Sequence, residues 1–356
     1  MKARLQKKGR LIALFATLTL ILSGCGEAFL STLQPAGEVA QTQYDLMILS
    51  TLIMVGVIVV VTIIYAIAII RFRRKKGDEN KIPKQVEGSH TLEIVWTVIP
   101  IILLLILAVP TVTATFNLAD TSGMDKVDED GNREALVVNV RANLYWWEFE
   151  YPDLGIVTAQ DLIVPTDEKV YFNITASDVK HSFWIPAAGG KLDANVDNIN
   201  TFYLEFDSEK ADEAGNLFYG KCTELCGPSH AIMDFKVKTM DRDEFDGWVT
   251  AMQTTEETVP TSEVAQQGQE IFAESCIACH AVSPTTGVGG AGPNLANFGE
   301  REQLAGFLDH DKETLKEWIR KPEDFKPGNK MPNFEYLSEQ ELDALAEYLM
   351  GLKVLE

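Results

Sequence analysis

Two short stretches concentrate the side chains able to hold a metal. The first reads Cys222-Thr-Glu-Leu-Cys226-Gly-Pro-Ser-His230-Ala-Ile-Met233 and follows His181 by about forty residues. One thiolate, two imidazoles and a weak thioether are the ligand inventory of a blue-copper site. The second thiol, four residues from the first, changes the count. Two thiolates on one loop can bridge two metal ions, each keeping one imidazole, with Met233 and a main-chain carbonyl as weak outer ligands. Sharing an unpaired electron over two coppers leaves each geometry nearly unchanged on reduction, which suits fast electron transfer. Two other chemistries use only part of the set. A disulfide between Cys222 and Cys226 uses the thiols of an exported chain but neither the His nor the Met. Zinc would take Cys2His2 and leave Met233 without a purpose.

The second stretch is Cys276-Ile-Ala-Cys279-His280. C-x-x-C-H is the attachment motif of a c-type haem, in which two thiols add to vinyl groups and the adjacent His takes the proximal iron position. Met331, in Gly328-Asn-Lys-Met-Pro332, offers a distal thioether, a ligand that favours reduced iron and raises the potential. The alternative for Met331 is an ordinary buried methionine. His90 and His310, the remaining two of five histidines, read as surface or packing residues.

The fifth cysteine, Cys25, ends Leu22-Ser23-Gly24-Cys25. Lys2, Arg4, Lys7, Lys8 and Arg10 precede an apolar run over residues 11–22, the layout of a secretory signal. Its ending resembles the lipobox of bacterial lipoproteins, so residues 1–24 are expected to be removed and Cys25 lipidated. The alternative is a short uncleaved anchor, but the run is too short to span a bilayer.

The elements that position these groups follow from pattern. Leu46 to Ile70 and Ile94 to Phe116 contain no charged residue and are long enough to cross about 30 Å of hydrocarbon as helices. Arg71, Arg73, Arg74, Lys75, Lys76, Lys81 and Lys84 lie between them and, by the positive-inside rule, are cytoplasmic. Both ends of this hairpin over residues 25–116 then face outward, and Pro100 and Pro110 predict a kink in the second span.

Residues 117–250 change to short β-rich runs: 135–140, 145–151, 170–174, 202–206 and 234–238. With Pro-Asp, Pro-Thr-Asp and Gly-Gly turns between them, they predict an all-β sandwich or barrel. Residues 251–261 are polar and read as a linker. Residues 262–356 read as an all-α domain around the haem, with helices over 264–274, 311–320 and 339–350. Ser338 and Glu341 form a capping box at the start of the last helix, whose apolar face carries Leu342, Leu345, Ala346 and Leu349.

Composition bounds the partners. The chain has 356 residues, 46% of them hydrophobic, and a formal charge of −21 that makes duplex nucleic acid an unsuitable partner. Residues 117–356 hold 19 basic and 45 acidic side chains, so the acidity sits outside the membrane. Such a surface attracts a basic donor and loses on-rate with salt.

The hairpin, the sandwich, His-Ser-Phe-Trp-Ile-Pro at 181–186 and the box from Cys222 to Met233 together resemble subunit II of the haem-copper cytochrome c oxidases over roughly residues 30–250. Residues 262–356 resemble a class I cytochrome c, with 287–293 as a loop near the proximal side, and the fusion resembles the caa-type oxidases. The resemblance implies that residues 117–250 form an all-β cupredoxin-like Greek-key sandwich and that it carries a dinuclear copper centre, CuA, held by His181, Cys222, Cys226, His230, Met233 and the carbonyl of Glu224. It implies that the Glu224 carboxylate reaches a magnesium shared with subunit I. It implies that an electron from cytochrome c arrives through Tyr145, Trp146 and Trp147, Tyr145 standing where the family pattern places Trp.

The expected activity is an electron relay in the bacterial plasma membrane. A donor, cytochrome c or a quinol–cytochrome c reductase, feeds haem c. CuA follows, and subunit I, bound with other oxidase subunits, reduces oxygen to water. The chain itself has no candidate oxygen-reducing residues. Rival readings are the CuA subunit of a nitric oxide reductase, a copper-handling protein and a membrane-tethered carrier. Haem c beside copper argues against storage, and co-purifying partners separate the others.

Overall fold

The protein was analysed as a computed structural model that describes residues 14–17, 26–73, 77, 82, 85–255, 260–285 and 291–355. Cys25, most of the predicted signal segment, Arg74, Lys75, Lys76, Lys81 and Lys84 of the hairpin loop, residues 256–259 of the linker and residues 287–290 of the proximal loop lie outside the described residues.

Helices α1 (Glu38–Arg71) and α2 (His90–Leu118) form the hairpin. Both overrun the predicted spans, because polar residues at their ends also accept helical geometry. Ser89, for instance, caps α2 by accepting from the Leu92 N–H at 3.5 Å. Pro100 and Pro110 lie within the one helix α2. Both helices are long and apolar enough to cross a membrane, and side chains such as Ile64 and Leu104 are exposed along them.

The segment before α1 is tied to the β domain. Tyr219 N–H donates to Phe29 O at 3.0 Å, Ala36 N–H to Ala187 O at 2.7 Å, and Asp207 N–H to Ala36 O at 2.8 Å. At Gly37 a Cβ would lie 1.8 Å from Glu205 O, so only glycine permits this approach. The chain leaving α2 enters the same domain, so both ends of the hairpin lie on the sandwich side.

The sandwich contains β1 (Leu136–Asn143), β2 (Trp146–Tyr151), β3 (Ile156–Ala159), β4 (Asp161–Pro165), β5 (Val170–Ala176), β6 (His181–Trp184), β7 (Leu192–Ala194), β8 (Asn200–Leu204), β9 (Leu217–Cys222) and β10 (Asp234–Met240). One sheet runs β3-β2-β1-β5-β8 and the other β4-β10-β9-β6-β7. The β1–β5 and β4–β10 pairs are parallel. Aromatics fill the space between the sheets. Phe183 and Phe235 stack with centroids 4.8 Å apart, Trp147 meets Phe183 edge-on at 5.5 Å, and a Cβ at Gly220 would lie within 2.3 Å of the Phe235 ring.

Two helices of this domain escaped the sequence pattern. α3 (Ser208–Glu213) is short, and α4 (Arg242–Thr254) runs into the stretch read as linker from residue 251. Phe245, Trp248 and Met252 recur at helical spacing and are buried on the sandwich, which carries the helix to Thr254.

The last domain is helical: α5 (Glu263–Ser275), α6 (Lys312–Arg320), α7 (Pro322–Phe325) and α8 (Glu339–Met350). α5 packs on α8 at Gly268, where a Cβ would lie 2.0 Å from Ala344 O. The capping box of Ser338 and Glu341 is formed, and Leu342, Leu345, Ala346 and Leu349 are buried. His310 is a packing residue, edge-on to Phe298 at 4.9 Å.

Tyr151 joins the two sheets. Its buried hydroxyl donates to Ile163 O at 2.8 Å and accepts from Ile163 N–H at 2.9 Å, satisfying the open side of edge strand β4. Tyr151→Phe leaves both backbone groups unpaired and is expected to lower stability by about 2–4 kcal/mol. Chemical denaturation followed by Trp fluorescence measures it, and an unchanged midpoint would contradict this role.

Candidate metal centre and haem crevice

Strand β6 places His181 in the interior, β9 ends at Cys222, and the loop to β10 returns through Cys226, His230 and Met233. Pairing of β6 with β9 brings Phe183 opposite Cys222, which carries His181 to the thiol. His181 Nδ1 lies 3.8 Å from Cys222 Sγ, and Cys222 Sγ lies 3.8 Å from Cys226 Sγ. Cys226 Sγ lies 3.7 Å from His230 Nδ1 and 3.9 Å from Met233 Sδ, while Glu224 O is 3.4 Å from Cys222 Sγ. Donors sharing a tetrahedral ion at ~2.0–2.3 Å stand about 3.5 Å apart, so the spacing fits soft metal ligation. It does not match a disulfide, whose sulfurs are ~2.05 Å apart.

The electrostatics point the same way. Burial raises the Cys222 thiol, but hydrogen bonding to His181, to the Ser182 and Glu224 backbone and to His230 together outweighs it and brings it down to about 7. Burial, and then the charge on Cys222, pushes Cys226 up to about 12. The pair gives up one proton readily and resists the second, as two close anions must. Cations between the sulfurs reverse that resistance.

The aromatic run sits beneath this loop. Trp147 is fully buried, donates from Nε1 to Met233 O at 3.3 Å and meets the His181 ring at 6.2 Å. Tyr145 is buried under the metal-donor loop: a Cβ at Gly227 would lie 2.3 Å from its hydroxyl, and one at Gly328, in the other domain, 3.2 Å. Gly227 has φ +139 and Gly328 φ +78, conformations that favour glycine at both approaches.

Cys276, Cys279, His280 and Met331 line a single crevice of about 1080 Å³, its open mouth included, at the upper end of ligand-pocket sizes. Leu144, Tyr145, Trp146 and Gln160 of the sandwich line it too. His280 Nδ1 donates to Pro293 O at 2.8 Å, which leaves Nε2 free as a ligand, and burial holds His280 below the usual imidazole range. Gln160 Nε2 and Arg301 Nε, both from residues on the crevice wall, are buried with no partner among the described residues. Orphaned donors beside an apolar cavity call for an acceptor. The propionate carboxylates of a haem supply that chemistry, so the residues present fit the group.

The two domains interlock around these sites. Ser229 Oγ, beside the copper-ligand candidates, donates to Pro327 O at 2.7 Å. Lys238 Nζ bonds Glu300 O at 2.8 Å and pairs with Glu302 at 3.0 Å, and Val157 N–H donates to Pro284 O at 2.9 Å. Lys236 Nζ reaches Gly306 O at 3.3 Å, and Lys330 Nζ reaches Asp178 at 3.2 Å.

Comparison with known proteins agrees with this arrangement. Residues 31–114 match the transmembrane domain of cytochrome c oxidase subunit II, residues 155–240 its periplasmic domain, and residues 265–353 cytochrome c. The chain is 62% identical over 349 residues to cytochrome c oxidase subunit 2 of Bacillus sp. (strain PS3), covering 97% of this chain and 98% of that protein. The chain belongs to the cytochrome c oxidase subunit 2 family. It is 59% identical to the subunit of the same name from Bacillus subtilis, over 98% of each chain. A quinol oxidase subunit 2 of Bacillus spizizenii is 33% identical over 69% of this chain and 73% of its own length. A cupredoxin-like domain implies copper and the cytochrome c domain implies haem. The two apolar helices, with their family match, anchor the chain in a membrane.

Sequence reasoning missed Asp178, Gln160, Arg301 and Lys330. A carboxylate three residues before a metal-binding His was a readable signal for Asp178; the others become neighbours only through domain docking. Gly292→Val would place side-chain atoms where a Cβ already stands 2.8 Å from His280 Cε1. Its expected result is loss of low-spin character in the c-type absorption bands with haem still attached. A wild-type spectrum would contradict the iron-ligating role expected of His280.

Proposed function

We propose that this chain carries electrons into a haem-copper terminal oxidase, from a cytochrome c domain across the aromatic run to a dinuclear CuA site and on to subunit I. The observation that carries the reading is geometric: the haem crevice and the metal-donor loop meet at one domain interface, with Tyr145 against both. When bound, haem c and the copper pair supply the one-electron carriers. His181, Cys222, Cys226, His230, Met233 and the Glu224 carbonyl would hold two coppers. Cys276 and Cys279 would hold haem covalently, and His280 and Met331 would ligate its iron.

The chain's own residues do the rest. Trp147 and the aromatic core exclude water beneath the loop, keeping the surroundings of the sulfurs rigid and of low dielectric. Tyr145 meets both crevice and loop, Trp146 lines the crevice and Trp147 lies under the loop, which supports the three as the route by which an electron enters the sandwich. The half-buried Glu224 lies on the copper-ligand loop, in keeping with a magnesium contact to subunit I. The basic hairpin loop supports a cytoplasmic turn, with both redox domains outside the bacterial plasma membrane and Cys25 lipidated on that face. Near full-length similarity to cytochrome c oxidase subunits, against a shorter match to a quinol oxidase subunit, supports a cytochrome c or quinol–cytochrome c reductase donor.

Purification in mild detergent is expected to yield this chain with other oxidase subunits; recovery of the chain alone would refute the subunit role. Metal analysis of that preparation is expected to give two coppers and one haem c per chain, and one copper, or zinc in its place, would exclude the dinuclear site. In Cys222→Ser, haem c is expected to reduce normally while oxygen uptake is lost. Undiminished uptake would rule out a relay through this loop.

A further inference from the structure

Asp178 gathers contacts from both sites. Its carboxylate is only 12% exposed, and its two oxygens meet four nitrogens. Oδ1 accepts from the Val179 N–H at 2.8 Å and faces His181 Nε2 at 3.0 Å. Oδ2 accepts from the Leu144 N–H at 2.8 Å and from Lys330 Nζ at 3.2 Å. The two backbone donors fix the carboxylate in place. His181 belongs to the metal-donor set, and Lys330 directly precedes Met331 on the wall of the haem crevice. A continuous polar chain therefore runs from the Met331 loop through Lys330 and Asp178 to His181, whose Nδ1 faces Cys222 Sγ at 3.8 Å.

The direction of its effect follows from charge. With Nδ1 turned to the sulfur, Nε2 carries the proton and donates it to Asp178. A carboxylate in that position makes the imidazole a stronger electron donor, and stronger donation favours the oxidised state of a bound metal. An ammonium on the other carboxylate oxygen draws charge away and weakens the effect. Among the described residues, Lys330 supplies the one side chain of the cytochrome domain that reaches this carboxylate.

We propose that Lys330 is a positioning residue that lets docking of the cytochrome domain tune the metal centre: through Asp178 it reduces the donor strength of His181 and raises the copper potential. The proposal rests on the assignment of His181 as a copper ligand. Lys330 is 59% exposed, so solvent screens the pair and the effect is modest.

The experiment is a spectroelectrochemical titration of the purified, metal-loaded oxidase complex, reading copper and haem bands separately. Lys330→Gln is expected to lower the equilibrium constant for copper reduction about threefold, about 30 mV at ~59 mV per tenfold for one electron. Lys330→Arg is expected to restore the wild-type value. Asp178→Asn is expected to raise the copper potential, and adding Lys330→Gln to it to change nothing further, because the two act in series. An unchanged or raised copper potential in Lys330→Gln overturns the proposal even if Asp178→Asn loses copper. So does an undiminished Lys330→Gln shift in the Asp178→Asn background, which would mark a direct field effect. Wild-type complex without a copper band would instead sink the copper assignment, and this proposal with it.

Discussion

The Cys222 and Cys226 sulfurs stand 3.8 Å apart in a partly buried loop, and two thiolates at that distance repel unless cations lie between them. The surrounding structure keeps the pair in place against that repulsion. Strand pairing between β6 and β9 sets His181 against one sulfur, and the turn back to β10 sets His230 and Met233 against the other. Beneath them, the Trp147 indole holds the Met233 carbonyl, and stacked Phe183 and Phe235 fill the core. A rigid donor set over a close-packed base moves little when its charge changes, and small movement is what makes one-electron transfer fast.

The same loop and strand β10 meet the cytochrome domain through polar contacts. Ser229 meets Pro327, Lys236 meets Gly306, and Lys238 meets Glu300 and Glu302. Such contacts specify register: a shifted interface would strand buried lysines without acceptors. Glycine makes the fit possible at its tightest point. At Gly306, with φ +87, a Cβ would stand 2.3 Å from Asp234 O and 2.5 Å from Gln160 Nε2. Fusing the cytochrome to the sandwich thus does more than raise local concentration. It presents one orientation of the haem crevice to the aromatic run.

The root of the hairpin applies the same logic toward the membrane. Hydrogen bonds from Tyr219 and Asp207, and one accepted by the Ala187 carbonyl, hold residues 29–36 against the sandwich, so α1 leaves it at a set point rather than from a loose tether. The metal loop, the aromatic run and the crevice are therefore positioned relative to the bilayer as well as to each other, as a relay to an integral membrane partner requires.

Much of this was legible without coordinates, because the chemistry is written in residue types at short separations. C-x-x-C-H, the box from Cys222 to Met233 and the uncharged spans each depend on neighbours within a few turns of chain, and so does the Ser338 capping box. The boundaries were less legible. α4 continues past the expected linker because Phe245, Trp248 and Met252 find a sheet to cover, and no local signal announces that sheet. Strands β3, β4, β6 and β7 went unpredicted for a related reason: they are short or buried on both sides, so their pattern lacks clean alternation. Strand β9 alternates in burial, but its inward positions are Phe218, Gly220 and Cys222, and the glycine and cysteine hide that alternation in the sequence. Sequence alone determined which atoms are available to bind metal and haem. Tertiary structure alone decided that the two sites share an interface and that Asp178, from one domain, meets Lys330, from the other, 152 residues later. Contacts over such separations arise from how whole surfaces fit together, and no periodicity in one dimension encodes that fit.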